Sequence, residues 1–377
     1  MTTRRSLLTG ALGAGLAAPF ADAAFAQSPG EIALTAQFSE AASYSAARDG
    51  VSFLVMRTGV VLTEDYPNGG GQSVAHNLFS GTKAFSSVLA ARLVRLRQSR
   101  TEIVRNRRGK RIRRVTSVPL MTLDEPAAKT LTNWGDDARK SRITIRQLLN
   151  MTSGLAVGLT PGTAPDTIKA LGAPCQDEPG ARFIYDNAPA QAFAEIARRK
   201  LVAAGLATDP ASYLQSEILD EIGCTPIRFR RGGDGLPWLA TGAETTARGW
   251  AAFGEFVRRR GLWRGRFLAS EAAMTEMGFG SSASMGRFGM GWWTANAVPG
   301  QGPDLAGRIS DLWDGRGVVP SDTLMSAGAG GQRLYVIPSR RLVIVRQAHP
   351  PADMAAAAAG GGDWSDVTFL SMILRVA

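Results

Sequence analysis

Histidine is nearly absent: the 377 residues contain two, His76 and His349. A Ser-His-Asp hydrolase needs an imidazole base, and the G-x-S-x-G nucleophile elbow is missing as well. With no HExxH and no histidine cluster, metal-assisted hydrolysis lacks its ligands. Cysteine is as scarce. Cys175 and Cys224 have no metal-site spacing, and although an oxidising compartment would permit a bridge, two free thiols are expected. After the first thirty residues no apolar run reaches the eighteen positions of a membrane span. The glycine-rich patches lack the strand–GxGxxG–helix setting of a dinucleotide site. No organic cofactor or metal is implied.

Acidic residues are missing from one stretch in particular. The formal net charge is +11, and between Arg92 and Arg114 lie ten arginines and Lys110 against Glu102 alone. The rest of the chain is therefore close to neutral. A nucleic-acid surface would interleave aromatic residues for base stacking, and this stretch has none, so no nucleic-acid partner is expected. It reads as a helix end followed by a basic hairpin inserted near 98–118 and turning at Gly109. Its functional alternatives are a flap near a site or a weak hold on anionic envelope polymers.

What is present begins with an export signal. Arg4 and Arg5 precede a weakly apolar Gly/Ala run, and small residues at Ala24 and Ala26 offer a cleavage site before Gln27. Residues 1–26 thus read as a Tat signal, and the destination as the periplasm or beyond. "VSFLVM" (51–56) and "VVLT" (60–63) flank a turn and predict one hairpin. "QRLYVIP" (332–338) and "RRLVIVRQA" (340–348) predict a second, apolar on both faces as in a sheet covered by helices on each side. The expected fold is α+β. An antiparallel sheet is drawn from both chain ends, 27–79 and 300–377, and flanked by helices, with a mainly helical region at 80–299 inserted between. Helices are predicted at 188–205 and 245–261, a short one within 143–155 ending at Ser153-Gly154, and a last one near the C-terminus.

The chain holds one Ser-x-x-Lys, at Ser80 and Lys83, at the start of an amphipathic helix. Residues three apart share a helix face, so the lysine reaches the hydroxyl. The helix dipole favours an alkoxide, and burial pushes the lysine towards its neutral, proton-accepting form. A helix cap followed by a surface lysine is the plain alternative. Tyr185 and Asn187 form a Tyr-x-Asn on a loop entering a helix, where residues two apart point the same way. "LMSAGAGGQRLYVIP" (324–338) puts glycines directly before a strand, where a substrate can lie against the backbone and an N–H can bind an oxyanion.

In this order, Ser-x-x-Lys, Tyr-x-Asn and glycine-rich strand, the chain resembles the serine β-lactamase and penicillin-binding-protein superfamily. It is most similar to the class C-like branch of family VIII carboxylesterases and 6-aminohexanoate-dimer hydrolases. "WGDDARKSRITIRQLLNMTSGL", "PGARFIYDNAPAQAFAEIARRK", "TTARGWAAFGEFVRRRGLWRGRFL" and "GAGGQRLYVIPSRRLVIV" extend the likeness over most of residues 45–350. The resemblance implies Ser80 as acylated nucleophile and Lys83 as its base, alone or through Tyr185. Tyr185, as phenolate or relay, would serve the leaving group and the deacylating water. Asn187 would hydrogen-bond the substrate, with Ser326 and Gly328 along the binding strand. The backbone N–H groups of Ser80 and Ala329 would form the oxyanion hole.

One departure narrows the substrate. The family's third motif is Lys-Thr-Gly or His-x-Gly, and the aligned residues are Ser326-Ala327-Gly328. Without that cation a penicillin-type carboxylate loses a charge-assisted bond worth about 1.5–3 kcal/mol. The expected substrate is a small uncharged ester or linear amide, and the expected state a monomer or weak homodimer. A β-lactamase or D,D-peptidase is the first alternative. A non-catalytic binding module of the same fold is the second.

Overall fold

The computed structural model describes residues 35–160, 162–297, 309–350 and 363–377. The expected export signal lies outside them. Helix α1 (Ser39–Ala46) leads into strands β1 (Gly50–Arg57) and β2 (Val60–Asp65). Helix α2 (Lys83–Arg95) is followed by an outlying hairpin, β3 (Arg97–Arg105) and β4 (Arg111–Pro119). Helices α3 (Ala188–Ala203) and α4 (Ala247–Arg258) precede short strands β5 (Phe288–Gly289) and β6 (Trp292–Thr294). Strands β7 (Leu324–Gly328), β8 (Gln332–Ile337) and β9 (Leu342–Ala348) and helix α5 (Asp366–Leu374) complete the chain. Seven strands form one antiparallel sheet in the order β5-β6-β7-β8-β9-β1-β2.

The pairing of β1 with β9, Leu54 opposite Val345 and Val55 opposite Ile344, joins the two ends of the chain. Successive side chains of a strand point to opposite faces, and here both faces are apolar. Leu54, Met56, Leu334, Val336, Val343 and Val345 share one core with α2, α3 and α4. Phe53, Val55, Tyr335, Ile337, Leu342 and Ile344 share the other with Phe369, Leu370 and Ile373 of α5. The two expected hairpins and the layered α+β fold are therefore as the sequence implied.

The expected boundary near 300 falls elsewhere. Strands β5 and β6 come from within the stretch read as helical. They are two and three residues long in a glycine-bearing segment, too short to show an alternation. Helix α4 also belongs to the sheet's wall: a Cβ on Gly254 would lie 2.6 Å from Val343 and 2.9 Å from Leu334. The short helix near 143–155 spans Ile145–Leu149, opened by a capping box between Thr144 and Gln147. Cys175 and Cys224 are unbridged, and burial raises both thiols, Cys224 to about 12.

Candidate active site

Ser80 lies in a 3-10 turn, Phe79–Thr82, that runs directly into α2. The turn is tightly specified. Phe79 sits at φ +47°, a conformation that costs a non-glycine residue of order 1–3 kcal/mol, and its N–H is held by Asn77 Oδ1 at 2.7 Å. Thr82 Oγ1 donates to Phe79 O at 2.6 Å and accepts from Ala243 N at 2.9 Å. Helix α2 is buried along nearly its whole length, so Lys83 in its first turn is carried inside.

Lys83 is 1% exposed. Its Nζ lies 2.7 Å from Asn187 Oδ1, 3.0 Å from Ala240 O and 3.3 Å from Ser80 Oγ. Desolvation lowers its pKa to about 7, against an opposing pull from the carboxylate of Asp186. A neutral amine has two N–H donors and one lone pair. Asn187 and Ala240 accept two hydrogens, and the remaining direction is Ser80 Oγ, to which the ammonium donates and from which the neutral amine can accept. Placement and burial together leave the neutral lysine able to accept a proton from that direction.

Tyr185 lies over this pair, its ring centroid 4.8 Å from Lys83 Nζ. Burial raises the phenol to about 12, and a hydrogen bond with Ser80 opposes the shift. That direction favours the phenol, the form a proton relay uses, over the phenolate. The ring is fixed by Trp293 at 5.5 Å and Phe288 at 5.7 Å between centroids. Trp292 and Trp293, adjacent on β6, face opposite cores: Trp293 backs Tyr185, and Trp292 donates to Ser87 Oγ at 3.1 Å.

Other expected residues are placed differently from their sequence roles. Both ends of the Asn187 amide are engaged inside the protein, Oδ1 by Lys83 and Nδ2 by Thr163 O at 2.7 Å. It orients the amine. The Ser326 hydroxyl is buried and donates to Gly81 O at 2.9 Å, tying β7 to the nucleophile's turn and leaving no hydroxyl for a ligand. Gly328 is required by close approach, since a Cβ there would lie 2.0 Å from Leu78 O. Ala329 follows at the open end of β7, partly exposed. Arg333, the cation one strand further on, is held by Asp366 at 2.9 Å.

Asp186, which no motif singled out, is buried in the same loop beside Asn187. Its carboxylate accepts from Val157 N at 3.2 Å, Gly158 N at 2.9 Å and Ala188 N at 2.8 Å. It fastens the 155–158 loop to the start of α3. An acid between the tyrosine and the asparagine at a helix start was the available signal.

A serine hydroxyl beside a buried lysine amine, on a helix against an antiparallel sheet, is the arrangement of a serine hydrolase of the β-lactamase type. The chain belongs to the beta-lactamase family, whose profile matches residues 26–359. No curated protein matches it. Among solved structures, a penicillin-binding-protein homologue from Caulobacter crescentus superposes with TM-score 0.62 at 15% identity, over 92% of this chain and 99% of that one. A family VIII carboxylesterase gives 0.61 at 15%, over 92% and 99%. A candidate 6-aminohexanoate-dimer hydrolase from Bacillus anthracis gives 0.60 at 17%, over 84% and 78%. At these identities the likeness is one of fold.

Proposed function

We propose that the protein is a periplasmic serine hydrolase, exported by the Tat route, that cleaves small uncharged carboxylic esters or linear amides. The observation that carries this reading is the placement of Lys83, with two acceptors on its hydrogens and the Ser80 hydroxyl in its third direction. Ser80 Oγ attacks the acyl carbon while its proton passes to Lys83 Nζ. The tetrahedral oxyanion is received by the backbone N–H groups of Ser80 and Ala329; one such donor is worth about 2.7–4 kcal/mol. The C–O or C–N bond then breaks, and Tyr185 relays the proton to the departing oxygen or nitrogen. Water enters by the reverse relay, cleaves the ester on Ser80 and releases the acid.

Substrate charge follows from the cations. Lys83 is spent on the nucleophile and Arg333 is neutralised by Asp366, while Ser326 offers no outward hydroxyl. An anionic acyl portion has no partner among these groups, which disfavours β-lactams and D,D-peptides. A fluorophosphonate probe should label the wild type and not Ser80→Ala. A nitrophenyl butyrate should turn over far faster than a chromogenic cephalosporin, and the opposite order would overturn the substrate reading. Replacing Arg4 and Arg5 by lysine should hold the protein in the cytoplasm.

A further inference from the structure

The arginine-rich insertion forms a two-stranded ribbon that pairs with no other strand among the described residues. Nine residues per strand at about 3.3 Å each make it roughly 30 Å long. Its base is fastened to the end of α2, where Leu120 N donates to Leu96 O at 2.9 Å. Beyond that point both strands are mostly exposed. A lone hairpin of this kind is marginal in water, so the surface it presents calls for a chemical explanation.

The register sorts its side chains. Directly opposed residues share a face, which puts Arg97, Ser99, Thr101, Ile103 and Arg105 of β3 on one side with Arg111, Arg113, Val115 and Ser117 of β4. The acidic residue of the ribbon, Glu102, is on the other side, opposite Arg114 and paired with Arg100 at 3.0 Å. One face therefore carries four arginines, no carboxylate, and two β-branched apolar side chains at diagonal positions of the ladder. Ile103 and Val115 are 64% and 66% exposed. Arg107, Arg108 and Lys110 crowd the tip, which turns through Gly109 at φ +72°.

We propose that this face docks the protein on an anionic lipid bilayer. Charge complementarity selects a negative partner, and the apolar pair selects one with a hydrocarbon interior. A soluble polyanion would satisfy the arginines and leave Ile103 and Val115 in water. At a bilayer the guanidinium groups meet the headgroup phosphates while the two aliphatic side chains enter the acyl boundary, as on interfacial amphipathic helices. The inference stands apart from the chemistry at Ser80 and needs no membrane-spanning helix; none occurs among the described residues.

The test is co-sedimentation of the full chain with vesicles of phosphatidylcholine, with and without phosphatidylglycerol. Binding is expected to the anionic vesicles only and to weaken with salt. The triple variant Arg105→Gln, Arg111→Gln, Arg113→Gln should lose roughly 100-fold in partitioning, and Ile103→Ser with Val115→Ser roughly tenfold. Ile103→Trp should shift its emission to the blue on those vesicles. All variants share residues 1–34, so differences between them report the hairpin, and an unchanged thermal midpoint confirms the fold. Three results would overturn the proposal: no binding, no dependence on Ile103 and Val115, or equal binding to soluble polyphosphate.

Discussion

Two buried side chains set the chemistry at the scale of single residues. Desolvation brings the Lys83 amine to about 7, and the base form on which the proposed mechanism depends lies above that value. Esterase kcat/KM should rise about tenfold per pH unit below about 7 and level off above it; a flat profile would remove Lys83 from the role. Lys83→Arg keeps a cation that does not deprotonate and should cost about 10²–10⁴-fold in turnover. Asp186 acts through others, holding the 155–158 loop and favouring the charged form of Lys83. In Asp186→Asn an amide N–H faces backbone donors, at a cost of about 1–3 kcal/mol in stability. The acid limb of the pH profile should also move to lower pH, because a negative charge near Lys83 is gone. A stability loss with an unmoved limb would make the residue merely structural.

The elements show why some parts of the fold were legible and others were not. The motif pair Ser80–Lys83, the strands at 51–63 and 332–348, and α3 and α4 announce themselves through spacing or long apolar patterns. The commitments of Asn187 and Ser326 do not, because their partners Lys83, Thr163 and Gly81 are remote in sequence and are brought near only by packing. Strands β5 and β6 were hidden by brevity. Gly328 was read as an opening for substrate, yet its requirement comes from the opposite side, where β7 presses on the segment leading into Ser80. Gly328→Ala would drive a Cβ into Leu78 O and displace the nucleophile's turn. The expected result is about 1–3 kcal/mol of destabilisation with slower probe labelling. An unchanged melting temperature and labelling rate would show that the strand can give way.

At the scale of the whole molecule, the C-terminal helix is bound to the sheet by charge as well as by apolar contact. Asp366 accepts from Arg333 Nε at 2.9 Å, Trp364 Nε1 at 2.8 Å and Ser310 Oγ at 2.5 Å, and also from the Tyr335 hydroxyl. Burial would push the carboxyl up, but Arg333 and these donors hold it below the usual carboxylate range. Arg333→Met strands that carboxylate in the core and should cost about 3–5 kcal/mol in chemical denaturation. The marriage of β1 to β9 has a further result. During synthesis β1 emerges well before β9 and waits with a bare edge, a risk for wrong partnerships, until Leu342–Ala348 has been made. A chain released before Leu342 lacks the strand that closes the sheet, so the architecture itself separates finished copies from prematurely terminated ones.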